Sequence, residues 1–333
     1  MHEKILVTGA FGFLGQFVCD ELSDRGYTNI IKVGNTTKSH QEPRHGWFLK
    51  EDGSQSIYGD LRNARHVDAI VGQTNPDIVV HLAARVGGIG ANQVSPGTFF
   101  YDNLKMGVEL IERCRYLPDL QKFVLVSTVC SYPKFCRTPF MEDDIWEGYP
   151  EETNAPYGIA KKALMVMLQA YREQYGMNGI TLIPTNLYGP KDDFNPSTSH
   201  VIPALIHKVS ETGTDGELTV WGTGNASREF LYVKDAARGI VDGMEKYDSP
   251  EPVNLGNGKE VKIKNLVDLI CNTMGHTGKI SYDSTKPDGQ PSRRLDISRA
   301  ISSFDFTAQT DLADGLRETV DWYLATDEAL LEC

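Results

Sequence analysis

Short apolar runs alternate with amphipathic stretches through the first half of the chain. Ile5-Leu-Val-Thr is a strand-like run that enters a glycine-rich turn, after which Phe17, Val18, Cys19 and Leu22 recur at helical spacing. Residues 29–34 read as a second strand, the polar stretch 36–53 as loop, and 54–58 as a third strand. A helix over 63–72 precedes Asp77-Ile-Val-Val-His-Leu, whose continuous apolar character predicts a strand buried on both faces. A helix over 99–115, a strand-like run over 122–128, a long helix over 155–175 and a strand over 179–186 continue the rhythm. It then loosens into shorter elements near 218–221, 228–233, 261–274 and 312–324. This order predicts an α/β protein, a doubly wound parallel sheet with a smaller mixed domain. The boundary is expected at 177/178, with a segment near 225–245 returning to the first domain.

Composition narrows the function. The chain has 333 residues, 40% hydrophobic and 23% charged, as in an ordinary soluble globule. A formal net charge of −12 argues against a nucleic-acid partner and requires local cations for any anionic substrate. No apolar run is long enough to span a membrane, and the Met-His-Glu-Lys start does not read as a signal peptide. Six cysteines (Cys19, Cys114, Cys130, Cys136, Cys271 and Cys333) show neither a paired framework nor zinc spacing. Reduced thiols, a cytoplasmic location and no metal are the expectation.

The first turn, Gly9-Ala-Phe11-Gly12-Phe13-Leu14-Gly15, has the strand before it and the helix after it that a dinucleotide loop needs. Its glycines permit the tight turn, backbone approach to a pyrophosphate and close helix–strand packing. At the end of the second strand stands Gly34, followed by Asn35-Thr36-Thr37-Lys38. Hydroxyls and a cation without a carboxylate suit a 2′-phosphate, so NADPH is expected over NADH. Asp60 could bond an adenine amino group or cap the next helix, and Ala83-Ala84 would let a cofactor ribose or phosphate approach.

Tyr157 and Lys161 lie four apart in the long helix, on one face. An ammonium beside a phenol pulls its pKa down from about 10, making Tyr157 an acid suited to a ketone oxygen. Thr128 can hold the same oxygen. Ile159, Leu164, Met165, Met167, Leu168 and Tyr171 cover more than one stripe of that helix, enough for the sheet and for a second subunit in a homodimer.

These residues resemble the extended short-chain dehydrogenase/reductase superfamily over nearly the full length. Within it the chain is similar to the branch that acts on GDP-4-keto-6-deoxy-mannose. The likeness rests on Val80-His-Leu-Ala-Ala-Arg-Val-Gly-Gly, Cys130-Ser-Tyr-Pro, Ile183-Pro-Thr-Asn-Leu-Tyr-Gly-Pro and Ser199-His-Val-Ile-Pro-Ala-Leu. Trp221-Gly-Thr-Gly, Arg228-Glu-Phe-Leu and Lys286-Pro-Asp-Gly extend it. The resemblance implies a Rossmann domain, 3,5-epimerisation and reduction of a 4-ketone. Inverting a carbon beside a ketone takes a proton from one face and returns one to the other. A thiol and an imidazole, titrating near about 8.5 and about 6.5, suit that task. The resemblance assigns Cys130 as base and His200 as acid, while Lys161 also holds the nicotinamide ribose. It implies further cofactor contacts at Leu61, Pro184, Asn186, Leu187 and His200, and substrate contacts at Asn186, Lys208, Trp221, Arg228 and Asp288.

Some positions depart from the family pattern. Thr128 replaces a Ser, Lys208 replaces an Arg, and Phe11 and Phe13 stand where relatives carry a basic residue beside the second Gly. Arg228 could instead pair with Glu229 or Asp235, and Trp221 could fill core. Cys136 and His207 are read as structural. The competing functions are a reductase alone, a 5-epimerase/4-reductase on another deoxyhexose, an epimerase that retains NAD, and an idle NADP sensor.

Overall fold

The computed structural model describes residues 2–35, 47–49, 55–286 and 288–331. Its large sheet contains β1 (Ile5–Thr8), β2 (Ile30–Gly34), β3 (Trp47–Leu49), β4 (Gln55–Tyr58), β5 (Ile78–His81), β6 (Lys122–Val126) and β7 (Gly179–Pro184). A late strand, β11 (Val253–Leu255), adds to the β7 edge. The order is β3-β4-β2-β1-β5-β6-β7-β11. Every neighbouring pair is parallel except β3 with β4. Strand order reverses between β1 and β5, so a crevice opens beyond their carboxyl ends.

Both faces of this sheet are covered, which is why its strands read as unbroken apolar runs. Ile5, Val7, Val124 and Val126 point to one face, against α1 (Phe13–Asp24), α7 (Val233–Lys246) and α9 (Ser298–Phe304). Leu6, Val79, Phe123 and Leu125 point to the other, against α2 (Ala64–Thr74), α4 (Pro96–Cys114) and α5 (Ala155–Tyr175). A short helix, α3 (Ile89–Val94), leads into α4. At the far end of α1, Arg25 reaches Asp242 at 3.0 Å and Glu245 at 2.7 Å, tying α7 to the large layer.

The smaller layer is built on β8 (Asn186–Tyr188), β9 (Leu218–Trp221), β10 (Ser227–Tyr232), β12 (Glu260–Lys262), β13 (Ile280–Asp283) and β14 (Ser292–Arg293). β10 is its axis, parallel to β8 and β14 and antiparallel to β12, while β9 pairs with β13. With α6 (Val201–Thr212), α8 (Ile263–Met274) and α10 (Leu312–Leu331), these strands enclose a third core that includes Ile206, Val220, Phe230, Ile270 and Leu316.

Four details differ from the sequence expectations. The stretch read as loop over 36–53 contains β3, an apolar triplet that gains its strand from antiparallel pairing with β4. β6 stops at Val126, and Thr128 instead caps a 3₁₀ turn over Val129–Ser131. The strand expected over 179–186 is two: β7 ends at Pro184 and the chain crosses to β10 as β8. β7 belongs to the large sheet, so that layer draws on residues beyond 177.

Candidate active site

The carboxyl ends of β1, β5 and β6 bring the predicted groups to one edge. Gly12 donates to the Gly9 carbonyl at 2.9 Å, and no side chain caps α1, leaving its first-turn N–H groups for an anion. Thr8 Oγ1 lies 2.8 Å from His81 Nδ1 and accepts from the Ala83 N–H at 3.2 Å, which joins the ends of β1 and β5. A Cβ on Gly34 would come within 2.5 Å of the Phe11 ring, which stacks on Tyr58 with centroids 5.3 Å apart. Position 34 is thus closed to the carboxylate that grips a ribose 2′-hydroxyl, for steric reasons as well as chemical ones. Asn35 closes β2, whereas Thr36, Thr37 and Lys38 lie outside the described residues. The free helix end and this cradle fit a phosphorylated dinucleotide.

Four residues expected at the cofactor, Asp60, Leu61, Asn186 and Leu187, also bond or pack within the chain. The Asp60 carboxylate accepts from Arg62 Nε at 2.9 Å and Nη2 at 2.7 Å, and Arg62 also pairs with Asp102. Those bonds hold its pKa below the usual carboxylate range. The N-cap of α2 is Asn63, not Asp60. Leu61 is buried in the core beneath the sheet, so its side chain serves packing. Leu187 packs against the opposite core, and Asn186 Nδ2 donates to the Glu229 carbonyl at 2.8 Å.

At the end of β6, Thr128 Oγ1 accepts the Cys130 N–H at 3.2 Å, and Ser131 Oγ donates to the Gly158 carbonyl at 3.2 Å. A Cβ on Gly158 would lie 2.2 Å from the Cys130 carbonyl oxygen. Only glycine lets α5 approach this closely and set Tyr157 beside Cys130. We therefore expect Gly158→Ala to displace both residues and cut turnover by about 10²-fold, as measured by steady-state NADPH oxidation; unchanged kcat would show that the loop yields.

The electrostatics of the Tyr-Lys pair differ from the sequence expectation. Burial raises the Tyr157 phenol above its ordinary value; the neighbouring Cys130 sulfur adds to this, and a hydrogen bond with Thr128 opposes it. Lys161 donates to the Val126 carbonyl at 3.0 Å. Burial brings its pKa down to about 8. Desolvation is the largest cause at both groups. Tyr157 is protonated at neutral pH, the form that can donate to an oxygen. Burial, with the charge of Lys161, lowers His81 to about 3 and keeps it neutral.

The smaller layer completes the site. Arg228 and Arg293 are register partners on β10 and β14. Burial and the charge of Arg293 lower Arg228 to about 10, so two crowded cations face this cleft. Arg228 pairs with neither Glu229 nor Asp235; it donates to the carbonyls of Ser227, Gln290 and Asp288 at 2.7, 2.6 and 3.1 Å. Glu229 is instead a buried hub that accepts the N–H groups of Asn257, Gly258 and Leu295, each at 2.7 Å. Asp288 is committed to Thr223, accepting its N–H and its hydroxyl at 2.7 Å each. It holds the turn after Trp221 in place.

Trp221 is 64% exposed, which excludes a core-filling role. Lys208 Nζ and Lys286 Nζ flank its ring at 5.1 and 5.5 Å from the centroid. Beside it opens a cavity of about 400 Å³ lined by Trp221, Lys208, Glu211, Glu217 and Thr219. None of the groups around Tyr157 lines this cavity; Arg293, Arg228 and the Asp288 turn connect the two regions.

His200 occupies the N-cap position of α6 without capping it. The loop before it is pinned by the Gly88 N–H, which donates to the Thr198 carbonyl at 2.9 Å. His200 is exposed, yet the atoms crowded around its ring lower the imidazole pKa by desolvation, and Asp193 opposes the shift. Cys136 is pushed up to about 12 by burial and Asp144, and His207 Nδ1 lies 3.0 Å from the Tyr323 hydroxyl. Sequence reasoning missed Arg293. Its only signal was a second basic residue shortly after the Lys286-Pro-Asp-Gly run.

Residues 5–256 match the model of the NAD dependent epimerase/dehydratase family. The chain belongs to that family. Among family members, it is 38% identical to GDP-L-fucose synthase 1 of Arabidopsis thaliana over 323 residues, covering 96% of this chain and 93% of that protein. It is 34% identical to the GDP-L-fucose synthase of Escherichia coli, covering 98% of each. A crystal structure of a GDP-L-fucose synthetase from Naegleria fowleri bound to NADP superposes with a TM-score of 0.82 at 26% identity, covering 98% of this chain and 96% of that one.

Proposed function

We infer that the chain is a GDP-L-fucose synthase, which converts GDP-4-keto-6-deoxy-D-mannose to GDP-L-fucose by 3,5-epimerisation and NADPH-dependent reduction of the 4-ketone. One observation carries this reading. A thiol, a phenol and a hydroxyl meet at the end of β6, and a buried Arg293 and a half-buried Arg228 lead from them toward an exposed tryptophan beside two lysines. That sequence of groups matches a keto sugar, a diphosphate and a nucleoside in order.

The family resemblance and the groups at the end of β6 support the following roles. Cys130 takes the proton from the carbon beside the ketone, and the C–H electron pair moves into an enolate. Thr128 and the protonated Tyr157 hydrogen-bond to O4 as it gains charge. His200 returns a proton to the opposite face, and the cycle serves C3 and C5. NADPH, when bound, supplies a hydride to C4. Tyr157 gives its proton to O4, with Lys161 as the cation behind it. The α1 N-terminus, the Phe11–Gly34 cradle, Ala83 and Lys161 are the residues that would hold the cofactor. Arg228 offers the diphosphate a guanidinium fork, and Lys208 offers a point charge.

We also propose a homodimer. α4 and α5 pack together and leave Phe100, Tyr101 and Val166 exposed beside the half-buried Leu104, Val108 and Met167. A cytoplasmic location suits the five described cysteines, which are free thiols.

The test is incubation with GDP-4-keto-6-deoxy-mannose and NADPH in D₂O, followed by NMR of the product. Deuterium at both C3 and C5, with one NADPH oxidised per product, is the expected result. NADPH oxidation without exchange reduces the enzyme to a ketoreductase. Exchange without net oxidation makes it an epimerase.

A further inference from the structure

Arg293 is 8% exposed, and its guanidinium is held from behind. Nε and Nη2 both donate to Gln290 Oε1, at 2.9 and 2.7 Å. Gln290 is itself buried, and its Nε2 donates to the carbonyls of Pro133 and Lys134 at 3.3 and 2.7 Å, on the segment that leaves Cys130. The remaining nitrogen, Nη1, lies 3.9 Å from Cys130 Sγ. Among the described residues no carboxylate forms a salt bridge with Arg293. A permanently charged group is therefore buried, braced on one side by an amide, and aimed at a sulfur.

We propose that Arg293 is the positioning residue of the epimerisation base: it holds the Cys130 sulfur as a thiolate, at a fixed angle to the sugar. This rests on the epimerase/reductase reading above. A charge-assisted N–H···S⁻ contact is stronger than the same contact to a neutral thiol, so the guanidinium favours the form that accepts a proton. When the thiolate takes the C3 or C5 proton, the C–H electron pair enters the enolate and the contact weakens. Return of that proton to solvent restores it. Gln290 sets the geometry, because its carbonyl fixes two guanidinium nitrogens while its amide anchors the cysteine segment.

The test uses the full chain without substrate or NADPH, so it reports on Arg293 even if the reaction assignment fails. Alkylation of Cys130 by iodoacetamide is followed on the Cys130 peptide by mass spectrometry. In Arg293→Gln the rate at pH about 7 is expected to fall about tenfold, and to recover at pH about 9.5, where the thiolate forms unaided. Arg293→Lys keeps a charge and should retain part of the rate, and Gln290→Ala should slow it to a lesser degree. With substrate in D₂O, exchange at C3 and C5 should fall in step with alkylation. An unchanged alkylation rate at pH about 7 in Arg293→Gln overturns the proposal. If KM for the GDP-sugar rises at the same time, Arg293 is an anion contact alone. Should Arg293→Gln fail to fold, alkylation as fast in Gln290→Ala as in the parent decides against the proposal.

Discussion

Cys130→Ala is expected to slow deuterium entry at C3 and C5 of the sugar by 10² or more, because a general base contributes about 10²–10⁴ in rate. A factor of 10² corresponds to about 2.7 kcal/mol of transition-state stabilisation. NADPH affinity should hold, since Cys130 touches Thr128, Tyr157 and Arg293 and none of the α1 turn. The change removes a half-buried thiol in the middle of a short 3₁₀ turn, so the fold should stand. NMR exchange and fluorescence titration of NADPH, run on one preparation, separate the two properties. Exchange at the parental rate would remove Cys130 from the mechanism.

Tyr157→Phe is expected to cut NADPH oxidation by about 10²–10⁴, because the phenol is the proton donor to O4. Exchange should also fall, by a smaller factor, since Thr128 still holds the enolate oxygen. The pH profile of the parent adds a second check. Lys161 is lowered to about 8 by burial, so it carries its charge at neutral pH and loses it as pH rises through that value. Reduction should decline on that limb. Phenol ionisation lies well above it, because burial raises Tyr157. Stopped-flow NADPH oxidation between neutral and alkaline pH reads this directly; a flat rate through pH about 8 would mean that the Lys161 charge does not matter to the step.

The second prediction depends on desolvation, and burial also shows where sequence reasoning stopped. Two residues four apart on a helix share a face, and that much follows from the helical period. Whether the ammonium meets the phenol depends on what else surrounds them. Here the Val126 carbonyl at the end of β6 captures the Lys161 ammonium. The same limit applies to Asp60, whose carboxylate looked available until Arg62 was seen to hold it. Asp288 lies in a recognisable run, yet it binds Thr223. In each case the group has a bonding partner within the chain that its place in the sequence did not reveal.

The alternation of apolar runs and amphipathic helices dictated the doubly wound sheet, because strands covered on both faces must be apolar throughout and crossover helices must be apolar on one side. Local chemistry likewise determined the dinucleotide turn, the absence of a carboxylate at position 34 and the presence of a thiol and an imidazole in narrow motifs. Tertiary structure alone decided the rest. It set Arg293 of β14 against Cys130, 163 residues earlier, and beside Arg228 of β10. It also brought Gly158 within reach of the Cys130 carbonyl. Such contacts join segments with no shared period or spacing, so the order of residues along the chain carries no mark of them. They exist because elements of different layers, β14 of the smaller sheet and α5 beside the large one, meet the turn that follows β6.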